Sequence, residues 1–321
     1  MKSPHKSLFL SLMMVSTCMV LSSSNWLMTW MGLEINMLGF IPLMYFKETT
    51  NESETAAKYL VPQALGSTIF IASAMTTLHL NNLQILMPIA LCLKLGAAPF
   101  HFWFPPVMAG LPLLPAFLLL TWQKIAPIFA ISSLHPTLTT KILPIAAISA
   151  LWGGIAGVNQ TDIRSLLTYS SIAHTGWMLA SVSSPTPTLT LYITTYILIT
   201  ISIYMCLTKQ STKSHKQLFS LKEPYDSFLL AITILSLSGL PPLTGFIMKL
   251  LVLYSTKAST IVILGLILGA MTSLLYYLSL TFSPLLHMNK THFSKPQITS
   301  KTSIMFLLSQ FLPLSFIIFY F

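Results

Sequence analysis

The chain has 321 residues and a formal net charge of +10, with 54% hydrophobic and only 7% charged residues. An ordinary soluble domain carries about 25% charged residues, so this composition excludes a soluble protein and indicates a membrane protein. The basic residues lie between the apolar stretches and form no patch with aromatic platforms, which excludes nucleic acid as a partner.

Apolar stretches of about 20 residues recur along the whole chain, and each is long enough to cross a bilayer as a helix. The N-terminal run resembles a signal peptide, but "VLSSSNW" closes it and further spans follow, so it is interpreted as the first membrane helix. The sequence therefore predicts an all-α, polytopic membrane helix bundle that forms a single integral membrane domain over residues 1–321. Hydropathy predicts about eleven spans, which are 5–23, 25–46, 56–79, 83–103, 109–134, 141–158, 162–182, 187–207, 225–254, 259–283 and 302–321.

Most Lys and Arg residues between these spans fall on one side of the membrane. On the side opposite the N-terminus lie only Lys141 and Lys257. Because positive charge concentrates on the cytoplasmic or matrix side, the N-terminus is expected on that side. The residues on the N-terminal side are Lys2, Lys6, Lys47, Lys58, Arg164, Lys209, Lys213, Lys216, Lys222, Lys290, Lys295 and Lys301.

Four charged residues lie inside predicted spans and not in the loops on either side of the membrane. They are Glu34 in "MGLEINMLGF" (31–40), Lys94, Lys124 and Lys249. The first three lie roughly 14–16 Å into their predicted helices, near the midplane of a core about 30 Å thick. Lys249 lies closer to the far side. A charged side chain at a helix centre costs about 2.5–3.5 kcal/mol on insertion, so something must offset that cost.

Three interpretations of these charges remain open: snorkelling to the interface, a structural Glu–Lys pair that holds helices together, and a chain of titratable groups that carries protons or cations. Glycine and proline beside each lysine favour the third, because broken helices next to buried charge are typical of transporters. Gly96 and Pro99 follow Lys94, and Pro127 follows Lys124. Gly239 and Pro241 precede Lys249.

Two histidines could extend such a chain. His101 would share a helix face with Lys94 if the helix continued through Gly96 and Pro99, and His174 lies in mid-span among serines and a threonine. Each is either a relay or a packing residue with a hydrogen bond.

The sequence predicts neither a cofactor nor a metal site in this chain. The three cysteines occur singly, which leaves no disulfide framework and no iron–sulfur pattern. A Gly-x-Gly-x-x-Gly motif after a strand, which would bind a dinucleotide, is also absent.

Five motifs identify a family resemblance. They are "NWLMTWMGLEINMLGFIPL" (25–43), "LKLGAAPFHFWFP" (93–105), "LLTWQKIAP" (119–127), "GGIAGVNQTDIRSLLTYSSIAHTGWM" (153–178) and "LSLSGLPPLTGF" (235–246). Together they closely resemble the family of NADH dehydrogenase subunit 2 of animal mitochondrial complex I, and the resemblance is collinear over nearly the whole chain. It implies an antiporter-like fold that lacks the first three helices of the larger bacterial relatives.

The resemblance also implies a function, a location and partners. The chain would be a proton-translocating subunit of NADH:ubiquinone oxidoreductase in the mitochondrial inner membrane, with its N-terminus in the matrix and its C-terminus on the intermembrane-space side. Its partners would be other subunits of the complex, lipids such as cardiolipin, and protons. NADH, FMN, iron–sulfur clusters and ubiquinone would bind other subunits.

Matching motifs imply a role for each buried charge. Glu34 and Lys94 would form the input pair, Lys124 would be the central relay, and Lys249 would release protons on the far side. Two alternatives are a cation/proton antiporter without redox partners and an architectural subunit whose charges only hold helices together.

Overall fold

The computed structural model describes residues 4–45, 50–76, 85–210, 224–241, 243–256, 258–288 and 306–311. Within these ranges every regular element is a helix, which confirms the predicted all-α class. Residues 306–311 are also helical. The longer helices are α1 (Pro4–Ser22), α2 (Trp26–Met44), α3 (Thr50–Thr76), α4 (Leu86–Leu95), α5 (Phe104–Gly110), α6 (Leu113–Leu120), α7 (Trp122–Ser132), α8 (Pro136–Gly157), α9 (Ile163–Val182), α10 (Thr186–Gln210), α11 (Pro224–Ser238), α12 (Thr244–Ser255) and α13 (Thr260–Met288).

Several of these helices are long and apolar enough to cross a membrane. In the described part of the chain these are α1, α2, the combined segment Leu113–Ser132, α8, α10 and α13. Shorter apolar helices cover Leu86–Leu95, Phe228–Ser238 and Thr244–Ser255. The predicted membrane helix bundle is therefore confirmed, and its short helices lie where glycine and proline interrupt predicted spans.

The predicted span 83–103 is broken beside Lys94, where Gly96 and Pro99 indicated an interruption. Helix α4 stops at Leu95, and Gly96 closes it with a φ of 68°. Only glycine adopts this left-handed conformation readily, so the sequence fixes the helix end at this position. Residues 96–103 form turns before α5 begins.

The helix break near Lys124 comes before that residue, at Thr121, whereas the sequence predicted a break after it, at Pro127. Helix α6 ends at Leu120 and α7 begins at Trp122, while Pro127 lies inside the continuous helix α7. Thr121 carries the break, with φ −112° and ψ −71°. The hydroxyl of Thr121 donates a hydrogen bond to the carbonyl of Phe117 at 2.8 Å. The expectation that Pro127 breaks the helix is therefore wrong.

The predicted break in the span 225–254 is confirmed. Helix α11 ends at Ser238, Gly239 has a φ of 83°, and α12 begins at Thr244. Two short helices therefore replace a single span of about 45 Å, which would exceed the bilayer thickness.

The chain divides into two compact units, Met1–Ser149 and Ala150–Phe321. In the first unit α1 packs closely on α2, since a Cβ at Gly32 would lie 2.6 Å from Val20 Cγ2. Phe40 and Phe70 are completely buried in this unit. The expectation of a single membrane domain over 1–321 stays a prediction.

In the second unit α13 presents a continuous apolar stripe to the outside. Its members recur at helical spacing and are between 56% and 79% exposed. An exposed apolar stripe is typical of a helix that faces lipid or another membrane protein. The stripe consists of Ile261, Leu264, Leu268, Met271 and Leu275.

The predicted orientation in the membrane stays a prediction, since most of the basic residues behind it lie outside the described residues. These are Lys2, Lys47, Lys213, Lys216, Lys222, Lys257, Lys290, Lys295 and Lys301.

Candidate functional site

Lys94 lies in the last turn of α4, where the helix end leaves backbone carbonyls without helical partners. The backbone N–H groups of Gly96 and Ala97 donate to the Leu93 and Cys92 carbonyls, and two side chains add further hydrogen bonds. Trp103 Nε1 donates to the Leu93 carbonyl at 3.1 Å, and Gln63 Nε2 donates to the Lys94 carbonyl at 3.0 Å. The non-helical turn is thus held by hydrogen bonds, as irregular backbone at membrane depth requires.

The ammonium group of Lys94 is buried, and the side chain is only 6% exposed. Its Nζ atom has no hydrogen-bond partner among the described residues. Glu34, which is partly exposed on α2, attracts it electrostatically but forms no direct ion pair with it in the described structure. The predicted input pair is therefore not a direct ion pair in the described structure, and its role stays a prediction.

Lys124 lies in the first turn of α7 and is 4% exposed. Its Nζ atom is 5.7 Å from the centre of the Phe104 ring, which is within the range of a cation–π interaction. Lys94 and Lys124 both line a cavity of about 20 Å³. That volume is large enough for a single water molecule. The structure thus brings these two predicted residues to one cavity.

Polar side chains that the sequence analysis did not single out share this cavity. Asn36, Tyr59, Gln63 and Gln123 all line it. The criterion that selected the buried charges, a polar group inside an apolar run, would have found Asn36 and Gln123 if uncharged side chains had been included.

His101 is buried at 4% exposure but does not share a helix face with Lys94. It lies in the turns that follow α4, and its ring stacks on that of Phe102 with centroids 4.5 Å apart. The shared face was predicted only for an unbroken helix, and the helix is broken. A relay role for His101 stays a prediction.

Lys249 in the second unit lies on α12 and bonds back to the end of α11, across the break between the two helices. Its Nζ atom donates to the carbonyl of Ser238 at 2.7 Å and lies 3.5 Å from that of Leu237. These carbonyls form the negative end of the α11 dipole, so a cation is stabilised there. The Trp177 ring centre lies 5.8 Å from the same atom.

His174 on α9 is paired with a tyrosine on α10. Its Nδ1 atom lies 2.8 Å from the Tyr192 hydroxyl, and its ring centre is 5.1 Å from that of Tyr196. A small cavity of about 10 Å³ adjoins this pair and is also lined by Ser236 and Gly245 at the α11–α12 break. The structure therefore places His174 in a polar cluster beside the broken helix.

We expect Gly245→Ala to lower the amount of assembled protein sharply. A Cβ at this position would overlap the backbone carbonyl oxygen of Ser236, so one of the two helices would have to move. Overpacking of this kind costs about 1–3 kcal/mol. Native gels of solubilised membranes would measure the loss.

Gly39→Ala is the matched control for this change. A Cβ there would lie 2.9 Å from Leu12 Cδ2, the end of a flexible side chain that can rotate away. Equal losses in both variants would contradict the close backbone approach at Gly245.

Among the described residues, no group of three or more His, Cys, Asp and Glu side chains could hold a metal ion. The ionisable side chains that line the two cavities are lysine, histidine and tyrosine, and of these lysine and histidine exchange protons most readily. Proton transfer is the chemistry that this arrangement can perform.

Comparisons with known proteins agree with this architecture. Residues 23–276 match the family described as "NADH:quinone oxidoreductase/Mrp antiporter, TM". NADH-ubiquinone oxidoreductase chain 2 of Genetta servalina is 38% identical over 304 residues, which are 90% of this chain and 88% of that protein. The chain 2 protein of Lumbricus terrestris is 38% identical over 294 residues, 88% of this chain and 87% of that protein. A chain of respiratory complex I from Thermus thermophilus superposes with a TM-score of 0.82 at 25% identity, covering 98% of this chain and 78% of that chain.

Proposed function

The chain belongs to the membrane family shared by NADH:quinone oxidoreductases and Mrp antiporters, and we propose on this premise that it is a proton-translocating core subunit of respiratory complex I. In this role it couples the reduction of ubiquinone by NADH to proton transfer across the membrane. The observation that carries the proposal is the burial of Lys94, Lys124 and Lys249, each beside an interruption of a helix.

The geometry of the first unit supports an acid–base role for two of these lysines. Lys94 and Lys124 line one cavity that has room for a water molecule, over which a proton can pass. The electrostatic attraction from Glu34 reaches Lys94. When that attraction changes, Lys94 holds its proton more or less firmly, and this change is the input signal of the proposed mechanism.

We assign the redox chemistry to other subunits of the complex. NADH, FMN, the iron–sulfur clusters and ubiquinone would bind there, and this chain would act as the transducer. Lys249 would release protons, and hydrogen bonds to backbone carbonyls hold it at the α11–α12 break between transfers. His174, paired with Tyr192, would serve as a further relay.

The proposed location is the mitochondrial inner membrane, with the N-terminus in the matrix and the C-terminus on the intermembrane-space side. The animal relatives and the asymmetric distribution of lysines support this assignment. The proposed partners are the neighbouring membrane and accessory subunits together with lipids such as cardiolipin. The apolar stripe of α13 is a surface on which such partners would pack.

Glu34→Gln tests the proposed function. The amide cannot carry the negative charge that attracts Lys94, so proton translocation coupled to NADH oxidation should fall at least about fivefold. A pH-sensitive dye in inner-membrane vesicles would measure translocation, and NADH oxidation would be recorded in parallel.

Glu54→Gln provides the control for Glu34→Gln. Glu54 is exposed and pairs with Lys58 at 2.5 Å on the surface of α3, so its replacement should leave translocation unchanged. Unchanged coupling in Glu34→Gln would remove Glu34 from the mechanism.

A second candidate is a cation/proton antiporter that works without redox partners. The inclusion of Mrp antiporters in the matched family favours it. Sodium- or potassium-dependent proton transport by the purified chain in liposomes would support this candidate. The match to NADH-ubiquinone oxidoreductase chain 2 proteins over 90% of the chain favours the complex I subunit.

A further inference from the structure

The side chain of Gln123 connects three other helices of the first unit. Its Nε2 atom donates to Asn36 Oδ1 on α2 at 3.1 Å and lies 3.3 Å from Met13 Sδ on α1. Its Oε1 atom accepts a hydrogen bond from the Tyr59 hydroxyl on α3 at 3.3 Å. Both ends of the amide are thus engaged, and Asn36 and Tyr59 are each only 2% exposed.

The hydrogen bonds of Gln123 lie close to the buried charges in sequence and in space. Asn36 follows Glu34 by two residues in α2, and Gln123 directly precedes Lys124 in α7. Asn36, Tyr59 and Gln123 also line the cavity that Lys94 and Lys124 share. A path of hydrogen bonds therefore joins the helix of Glu34 to the helix of Lys124 without passing through Lys94.

We propose that Gln123 is a positioning residue that couples Glu34 to Lys124. An amide has no proton to exchange at physiological pH, so Gln123 acts through geometry and not as a proton carrier. When α2 shifts after a charge change at Glu34, the Asn36–Gln123 hydrogen bond draws the first turn of α7 with it. Lys124 then moves relative to the cavity. This inference rests on the proposed function, in which Lys124 relays protons.

A double-mutant cycle in the assembled enzyme tests the proposal. Asn36→Leu and Gln123→Leu each remove one side of the hydrogen bond. The measured quantity is the number of protons translocated per NADH oxidised in membrane vesicles. Each single variant should lower this ratio at least about twofold while NADH oxidation continues. The double variant should be no worse than the more severe single one, because both changes break the same contact.

Gln160→Leu is the matched control for the Gln→Leu replacement. Among the described residues, Gln160 donates locally to the Ala156 carbonyl at 3.2 Å, and it lines neither of the two cavities described above. Its replacement should leave the ratio unchanged. If Gln123→Leu fails to assemble, Asn36→Ala removes the acceptor without adding volume, and the same lowered ratio is then required of it.

Several outcomes would overturn the inference. Additive effects of Asn36→Leu and Gln123→Leu would show that the two residues act separately. Another is that Lys124→Met lowers the ratio while Gln123→Leu, or Asn36→Ala in its place, leaves it unchanged. That result would reject the coupling, and the proposed function would survive. An unchanged ratio together with an unchanged rate of NADH oxidation in Lys124→Met would instead reject the proposed function itself.

Discussion

Replacing Lys124 with methionine is expected to give an assembled enzyme in which proton translocation through this subunit falls roughly 10²-fold, the usual effect of losing one acid–base group. Lys124 is 4% exposed and lines the cavity next to Lys94, and methionine fills a similar volume without a proton to exchange. NADH-driven quinone reduction should become slow or uncoupled. Dye measurements of translocation beside NADH oxidation would record both effects.

Lys124→Met also separates the proposed function from a purely architectural subunit. Burying a charge in an apolar environment is costly, and methionine removes that cost, so assembly should be maintained. If Lys124 served only to hold helices together, native gels would show less assembled complex and the remaining enzyme would stay coupled. Lys58→Met is the control, since the side chain of Lys58 is 46% exposed and pairs only with Glu54 in the described contacts.

Most of the helices could be predicted from the sequence because hydropathy and length are local properties. Helices such as α2 and α10 agree with the predicted spans within a few residues. The breaks at Gly96 and Gly239 were also predictable, since each glycine adopts a positive φ that other residues avoid. Pro127 misled the prediction because a proline removes one donor without necessarily ending a helix, whereas the backbone conformation of Thr121 depends on packing that hydropathy does not encode.

The candidate site could be predicted only in part, because a buried charge is visible in the sequence while its partner is not. Lys94 and Lys124 stand out by their cost in an apolar segment, and the structure does bring them to one cavity. The hydrogen bond between Asn36 and Gln123 joins residues 87 positions apart, and no local pattern specifies that pairing. The Tyr192 partner of His174 lies on the next helix and was equally invisible.

Lys249→Met should reduce both the stability and the activity of the assembled enzyme. The Lys249 ammonium donates to the Ser238 carbonyl at 2.7 Å, and the side chain is 8% exposed. Methionine leaves that carbonyl unsatisfied, which costs about 1–3 kcal/mol. If Lys249 also releases protons, translocation should fall roughly 10²-fold in the complex that still assembles. Thermal unfolding of the purified complex and the dye assay would measure the two effects.

Lys249→Arg distinguishes the capping role of this residue from its proposed acid–base role. A guanidinium group still donates hydrogen bonds to the α11 carbonyls, so the thermal stability should recover in large part. Arginine does not give up its proton in proteins, so translocation should remain as low as in Lys249→Met. Recovery of both stability and translocation would contradict proton release by Lys249 and leave it only the task of holding the α11–α12 break. Because the same carbonyls bind either cation, a difference in translocation between the native lysine and Lys249→Arg depends on proton exchange rather than on charge.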